Sequence, residues 1–338
     1  MSGQELDQTI AQLVVPGKGI LAADESAGTI GRRLAAVEVA STGETRRSYR
    51  NLLFTTPGLN EFISGVILFE ETLQQKSDAE IPFARLLADQ GMVPGIKVDK
   101  GTVALAHFPG DKITEGLDGL AERLAGYKQL GARFAKWRAV FTIGAGLPST
   151  CAVEANANAL ARYAAICQEA GVVPIVEPEV LMDGDHTIES CEYVTQEVLE
   201  AVFHALHRHR VILERMLLKP NMVVPGKDCA MQASPEQVAA ATLAVLRRSV
   251  PAAVPGINFL SGGQSNLAAT ANLNALNTGA EKRPWQLSFS YARALQSAAL
   301  KAWRGEAANK AAGQQALYQR ARLNSLAQQG KYTVEMEG

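Results

Sequence analysis

Eight short apolar runs, separated by stretches of helical periodicity, constrain this sequence more than any other feature. They lie at 18–24, 65–71, 93–99, 132–139, 172–178, 216–220, 256–261 and 285–291, and they read as largely continuous apolar strands, the pattern of parallel strands covered on both faces. The segments between them are long enough for right-handed crossovers, so neighbouring strands should run parallel. Leu117, Leu120, Leu124 and Leu130 form one apolar stripe over 117–130, and 156–170 behaves similarly. Ser234-Pro235-Glu236-Gln237 is a helix start with serine at the N-cap and proline in the first turn. Eight is the number at which such a sheet closes, which predicts an α/β fold of the (β/α)8 TIM-barrel type. An open doubly wound sheet is the competing architecture, but the glycine-rich turn that would mark its dinucleotide site is missing after the first strand.

The 338 residues, 47% hydrophobic and 20% charged, suffice for one large core. No Pro/Gly/Ser-rich linker or charge block divides them. Residues 1–338 are therefore expected to form a single TIM-barrel catalytic domain, with a short N-terminal helix and a C-terminal helix plus tail. A net charge of −1 provides no general footprint for nucleic acid or an anionic membrane, so any anion site must be local. The opening Met1-Ser-Gly-Gln-Glu-Leu-Asp lacks the features of a secretory signal, and no apolar run approaches membrane-spanning length. Cys151, Cys167, Cys191 and Cys229 are scattered without a Cys-x-x-Cys pair, which fits buried thiols in a reducing cytoplasm.

Several runs close on charge. The first runs into Asp24, the third into Lys97 and Asp99, the fourth into Lys136 and Arg138, the fifth into Glu177 and Glu179, and the sixth into Lys219. In a barrel these ends meet at one mouth, where active sites are built, and strand alternation lets Lys97 with Asp99, Lys136 with Arg138, and Glu177 with Glu179 point inward together. Core ion pairs or strand ends reaching solvent are the bland alternative. Burying so many charges at one end of a sheet is hard to justify by stability alone.

A lysine at the end of a buried strand is pushed by desolvation toward its neutral, nucleophilic form, which marks Lys219 as a carbonyl-attacking amine. Crowding Lys136 against Lys219 should lower the pKa of one of them. The amine would attack a ketone, lose water to give a protonated Schiff base, and use the iminium as an electron sink for cleaving the neighbouring C–C bond. Glu177 could carry protons to and from the carbinolamine oxygen, and Asp24 could remove the hydroxyl proton that starts cleavage. For anions, Ser261-Gly262-Gly263 follows the seventh run with exposed backbone N–H groups, and Ser290-Tyr291-Ala292-Arg293 follows the eighth with a guanidinium. Lys97 with Arg32 and Arg33, beside Ser26 and Thr29, could hold a second phosphate across the mouth. Two anion sites flanking a lysine suggest a sugar bisphosphate.

Six segments, Leu21-Ala-Ala-Asp-Glu-Ser26, Gly95-Ile-Lys-Val-Asp-Lys-Gly101, Phe134-Ala-Lys-Trp-Arg138, Val173-Pro-Ile-Val-Glu-Pro-Glu179, Leu217-Leu-Lys-Pro-Asn221 and Phe259-Leu-Ser-Gly-Gly-Gln-Ser265, closely resemble class I fructose-bisphosphate aldolase. The resemblance extends from about Val15 to Tyr332. It implies reversible cleavage of fructose 1,6-bisphosphate to two triose phosphates in glycolysis and gluconeogenesis, with no metal and no cofactor, by a cytoplasmic homotetramer. It also implies that Lys219 forms the Schiff base, Glu177 is the main acid and base, and Asp24 is the cleavage base. Lys136, Glu179 and Arg138 would tune the pocket. Ser261, Gly262, Ser290 and Arg293 would hold the phosphate nearest the ketone, and Ser26, Thr29, Arg33 and Lys97 the distal one. Alternatives are a Schiff-base aldolase for a related ketose phosphate and a non-catalytic scaffold that binds sugar phosphates.

The resemblance has departures. Thr29 stands where the family commonly has serine, and Ala292 stands where glycine is usual beside the phosphate arginine, placing a Cβ near the anion. Well-known animal members end in a tail whose terminal tyrosine assists proton transfer at the enamine carbon. Tyr332 is the last aromatic here, so a different group is expected at that step. His204, His207 and His209 lie within 195–210 and are read as a solvated helix face rather than a metal cluster. His186 is read as a loop hydrogen-bonding residue, Trp137 as barrel-to-helix packing, and 294–312 as helical surface or subunit contact.

Overall fold

The computed structural model describes residues 2–279 and 283–338. Its strands are β1 (Gly19–Ala23), β2 (Ile63–Leu68), β3 (Val93–Lys97), β4 (Gly101–Ala104), β5 (Lys112–Glu115), β6 (Phe134–Phe141), β7 (Val173–Val180), β8 (Leu217–Leu218), β9 (Gly256–Phe259) and β10 (Gln286–Tyr291). Eight of them form a closed parallel barrel in the order β1-β10-β9-β8-β7-β6-β3-β2, sealed where Ile20 pairs with Ser290 and Leu21 with Tyr291. Each of the eight predicted runs supplies one barrel strand. The remaining two, β4 and β5, pair antiparallel as a hairpin on the connection after β3, which the periodicity did not announce.

The two faces of the barrel wall pack against different partners. Outward-facing residues meet the surrounding helices. Trp137 on β6 is fully buried and stacks on Tyr163 of the helix Thr150–Glu169, with ring centroids 5.5 Å apart, which is the barrel-to-helix packing the alternation implied. Inward-facing residues at the strand beginnings form a second cluster of Ile20, Ile67, Val93, Phe134, Val173, Ile175 and Leu217. Leu6, Ile10 and Leu13 of the N-terminal helix Ser2–Leu13 close it from below. The floor is packed tightly enough that Gly95 has to be glycine, since a Cβ there would lie 2.3 Å from the Phe134 ring.

The helix after β8, Pro235–Ser249, begins as predicted: Ser234 caps Gln237 N–H and the Gln237 side chain returns to Ser234 N–H. One reading needs correction. Residues 294–312 are not one surface helix. The helix Arg293–Trp303 stops where Arg304 turns left-handed, a second helix spans Lys310–Gln328, and Ala294, Leu295 and Ala299 are fully buried against the core.

Candidate active site

Strand alternation decides which groups meet. On β6 the inner face carries Phe134, then Lys136 and Arg138; on β7 it carries Val173 and Ile175, then Glu177 and Glu179; beyond β8, Leu217 is followed by Lys219. Lys136 is level with Lys97 across β3–β6, and Arg138 with Glu177 across β6–β7. The floor is thus apolar and the next layer up is charged.

In that layer Glu177 bridges both lysines, with Oε1 3.0 Å from Lys219 Nζ and Oε2 3.1 Å from Lys136 Nζ. Lys136 Nζ also lies 2.9 Å from Asp24 Oδ2 and 3.8 Å from Asp99 Oδ2. Asp99 Oδ1 in turn sits 2.6 Å from Lys97 Nζ. Three lysines and three carboxylates are therefore linked in one network centred on Lys136. The lysines at its centre are deeply buried, with side chains 4% exposed. Such a network is tolerated only because every charge has a partner.

The electrostatics set the charge of Lys136 and Asp24. Burial by itself would lower the pKa of Lys136, but Asp24, Glu177 and Asp99 outweigh it and hold this amine well above the usual lysine range. Burial would likewise raise Asp24, yet Lys136 first, then Lys219 and Lys97, hold its carboxyl well below the usual range. Crowding therefore does not discharge Lys136, because three carboxylates surround it. Lys219 has a single carboxylate within ion-pair distance among the described residues.

Of the residues predicted for the two anion sites, Arg33 from one set neighbours Arg293 from the other. Gly262 adopts φ +53, a left-handed turn that favours glycine, and its carbonyl accepts a hydrogen bond from Arg293. Ser261 is buried, and Ser290 Oγ is buried without a hydrogen-bond partner among the described residues. A buried hydroxyl left unsatisfied is unusual and suits a group meant for something absent from the protein itself. Burial and the neighbouring Arg33 lower the Arg293 pKa, with Arg138 adding to them against Glu179 and Asp183, as expected where guanidiniums converge on one space. In the other set, Ser26 Oγ donates to Thr29 Oγ1 at 3.2 Å, Arg32 reaches Thr29 at 3.4 Å, and Arg33 pairs with Glu25. Ala292 has φ −101, open to any L-residue, and its methyl packs against the barrel interior. Arg138 pairs with Glu179 at 2.5 Å and is partly exposed.

Three groups escaped the sequence reading. Asp99 was visible as a strand-end charge, but its bridging of Lys97 to Lys136 depends on the β3–β6 register. Arg50 and Gln296, both buried beside Glu25, gave no signal, since each sits in the middle of an ordinary helical stretch. The histidines take no part in the site: His204 and His207 are exposed, and His209 Nε2 lies 3.3 Å from Asn158. The His186 carbonyl accepts from Gly226 N–H at 2.8 Å, a contact of its backbone and not of its ring.

Comparison with known proteins places this geometry among relatives. The family described as "Glycolytic: Fructose-bisphosphate aldolase class-I" matches residues 5–338. The chain is 56% identical over 330 residues to the non-muscle type fructose-bisphosphate aldolase of Lethenteron camtschaticum, covering 97% of this chain and 91% of that one. It is 54% identical over 333 residues to a probable fructose-bisphosphate aldolase class 1 of Xanthomonas campestris, covering 98% and 99%. Its structure superimposes with a TM-score of 0.96 on a fructose-bisphosphate aldolase from Plasmodium falciparum, solved with TRAP and a small-molecule inhibitor, at 51% identity over 98% of this chain and 96% of that one.

Proposed function

The chain belongs to the class I fructose-bisphosphate aldolase family, a family of lyases, and from that premise we propose that Lys219 is the amine that joins the sugar. The reaction is the reversible cleavage of fructose 1,6-bisphosphate to dihydroxyacetone phosphate and glyceraldehyde 3-phosphate. Lys219 Nζ attacks the C2 ketone and gives a carbinolamine. The proton shared by the Lys219–Glu177 pair is held by Glu177 as the amine attacks and is then passed to the departing hydroxyl, so that water leaves behind a protonated Schiff base. Asp24 takes the proton from the C4 hydroxyl; the C3–C4 bond then breaks, its electrons move into the iminium as an enamine, and the aldehyde departs. Protonation at C3 and hydrolysis release the second product and free the amine.

Lys136 is the fixed positive charge of the set. It keeps Asp24 ionised and orients both Asp24 and Glu177 without itself being consumed, and Arg138 with Glu179 flanks it. Ser261, Gly262, Ser290 and Arg293 bind the C1 phosphate, and Ser26, Thr29, Arg33 and Lys97 the C6 phosphate. One observation carries these roles: a buried amine with a single carboxylate partner lies next to a second amine held charged by three. All of these groups stand on one barrel, which supports reading residues 1–338 as a single catalytic domain. Among the described residues no helix is long and apolar enough to cross a membrane; the glycolytic family points to the cytoplasm and to a homotetramer.

Borohydride reduction in the presence of dihydroxyacetone phosphate, followed by peptide mass mapping, tests the nucleophile. The adduct is expected on Lys219, and an adduct on Lys136 refutes the assignment. Turnover should survive a chelator, whereas a loss restored only by divalent metal refutes the Schiff-base route. Equal turnover of mono- and bisphosphate sugars would favour a related ketose phosphate as substrate, and gel filtration against standards decides the tetramer.

A further inference from the structure

Behind the loop that carries Asp24 and Ser26 lies a second, largely buried ionic cluster that takes no part in the chemistry. Glu25, next to Asp24 in sequence, turns away from the lysines. Its Oε2 accepts from Arg50 Nη2 at 2.6 Å, and its Oε1 accepts from Gln296 Nε2 at 2.9 Å and from Arg33. Gln296 Nε2 also donates to the carbonyl of Ala22 on β1 at 2.6 Å, and its Oε1 lies 3.4 Å from Arg50 Nη1. Arg50 is 2% exposed and Gln296 likewise, while the Arg33 side chain remains 23% exposed at the mouth. The helix Gly43–Phe54, the loop after β1 and the helix Arg293–Trp303 are thus tied through one carboxylate.

A buried arginine and glutamate give little net stability over apolar residues of the same shape, so the geometry they impose is the better guide to what they do. Glu25 has two guanidiniums to serve. Arg50 occupies one oxygen, which leaves the outer guanidinium of Arg33 on the other, shared with the Gln296 amide. We propose that Arg50, with Gln296, is a positioning residue for binding of the C6 phosphate: by claiming half of the Glu25 carboxylate it keeps Arg33 aimed at the mouth but loosely held, free to transfer to an incoming phosphate. Without Arg50, Glu25 closes on Arg33 with both oxygens, the bidentate form that is strongest and hardest to give up. The phosphate would then compete with a buried carboxylate for the same cation.

The inference rests on the assignment of Arg33 to the C6 phosphate, so its test compares fructose 1,6-bisphosphate with fructose 1-phosphate, which lacks that group. Arg50→Met is expected to raise KM for the bisphosphate about tenfold, the weight of roughly one weakened charge-assisted hydrogen bond. With the monophosphate, kcat/KM should move less than about twofold, and kcat for both substrates should stay near wild type. Arg50→Lys, which keeps the charge, should recover most of the loss, and Gln296→Met should shift KM in the same substrate-selective direction by a smaller factor. Should Arg50→Met fold poorly, the Gln296→Met and Arg50→Lys pair carries the same comparison. Equal losses with both substrates, or unchanged KM in all three variants, overturn the proposal. Arg33→Ala separates the layers: if it is bisphosphate-selective and the Arg50 and Gln296 variants are not, only the positioning role fails. If Arg33→Ala shows no selectivity, the phosphate assignment itself fails and the proposal with it.

Discussion

The mouth and the floor of this barrel are built from the same strands and are separated by at most one inward-facing residue, yet they obey opposite rules. Below lie Ile20, Val93, Phe134, Ile175 and Leu217, sealed by Leu6, Ile10 and Leu13; directly above them on the same faces stand Asp24, Lys97, Lys136, Glu177 and Lys219. The floor contributes burial and close packing. The mouth sits on that dry base, and its charges interact strongly because water is excluded from one side. The floor therefore supplies stability while the mouth supplies chemistry, and substitutions at the two levels should fail differently.

The sharpest contrast is between Lys219→Ala and Phe134→Ala. Removing the nucleophile should cost about 10⁴-fold or more in kcat, with borohydride trapping abolished and the melting temperature nearly unchanged. Phe134→Ala empties the floor beneath Lys136 and faces a glycine at 95 that cannot fill the gap, so it should cost about 3–5 kcal/mol of stability in denaturant titration. Trapping at Lys219 should nevertheless persist at temperatures where the variant is folded. A stable Phe134→Ala protein that no longer traps would mean that the floor takes part in the chemistry directly.

A third test addresses charge at the mouth as a function of pH. The Asp24 carboxyl is held well below its usual range by Lys136, Lys219 and Lys97 against the opposing effect of burial. A depressed carboxyl stabilises the fold above its unfolded pKa of about 3.9 and loses that contribution as pH falls toward the native value. Asp24→Asn should therefore be less stable than wild type by about 2–3 kcal/mol at neutral pH, and the gap should stay flat down to about pH 4 before it narrows. A gap already closing near pH 6 would show that Asp24 titrates there. Arg293→Ala comes next in size. It should weaken substrate binding by about 1.5–3 kcal/mol, seen mainly in KM, because it removes one charged partner of a phosphate.

The floor was legible in the sequence because it is local: each apolar run announces its own strand, and the alternation that buries Phe134 and Ile175 also turns Lys136 and Glu177 inward. The nucleophile was legible for the same reason, as a lysine closing an apolar run. What stayed hidden depends on register and on distant chain segments. Asp99 bridges Lys97 to Lys136 only because β3 and β6 align as they do. Arg50 and Gln296 meet over Glu25 from helices 246 residues apart, and neither helix pattern marks them. That Lys136 is the lysine that stays charged was not legible, because the carboxylates that hold it so come within 4 Å only on folding.

Ser234→Ala should have the smallest effect, and it asks whether height in the barrel or the inward face defines the mouth. Ser234 stands outside the ring of inward-facing charges, where it caps the helix after β8 by accepting Gln237 N–H at 3.3 Å while the Gln237 side chain accepts from Ser234 N–H at 2.9 Å. Replacing the hydroxyl removes one arm of that reciprocal cap, at a cost of about 1 kcal/mol in stability. If chemistry belongs to the inward face alone, kcat, KM and trapping should all remain at wild-type values despite the lower melting temperature. A substrate-selective change in KM would instead mean that the start of this helix belongs to the mouth, and that the division between scaffold and chemistry runs further out than the charged ring.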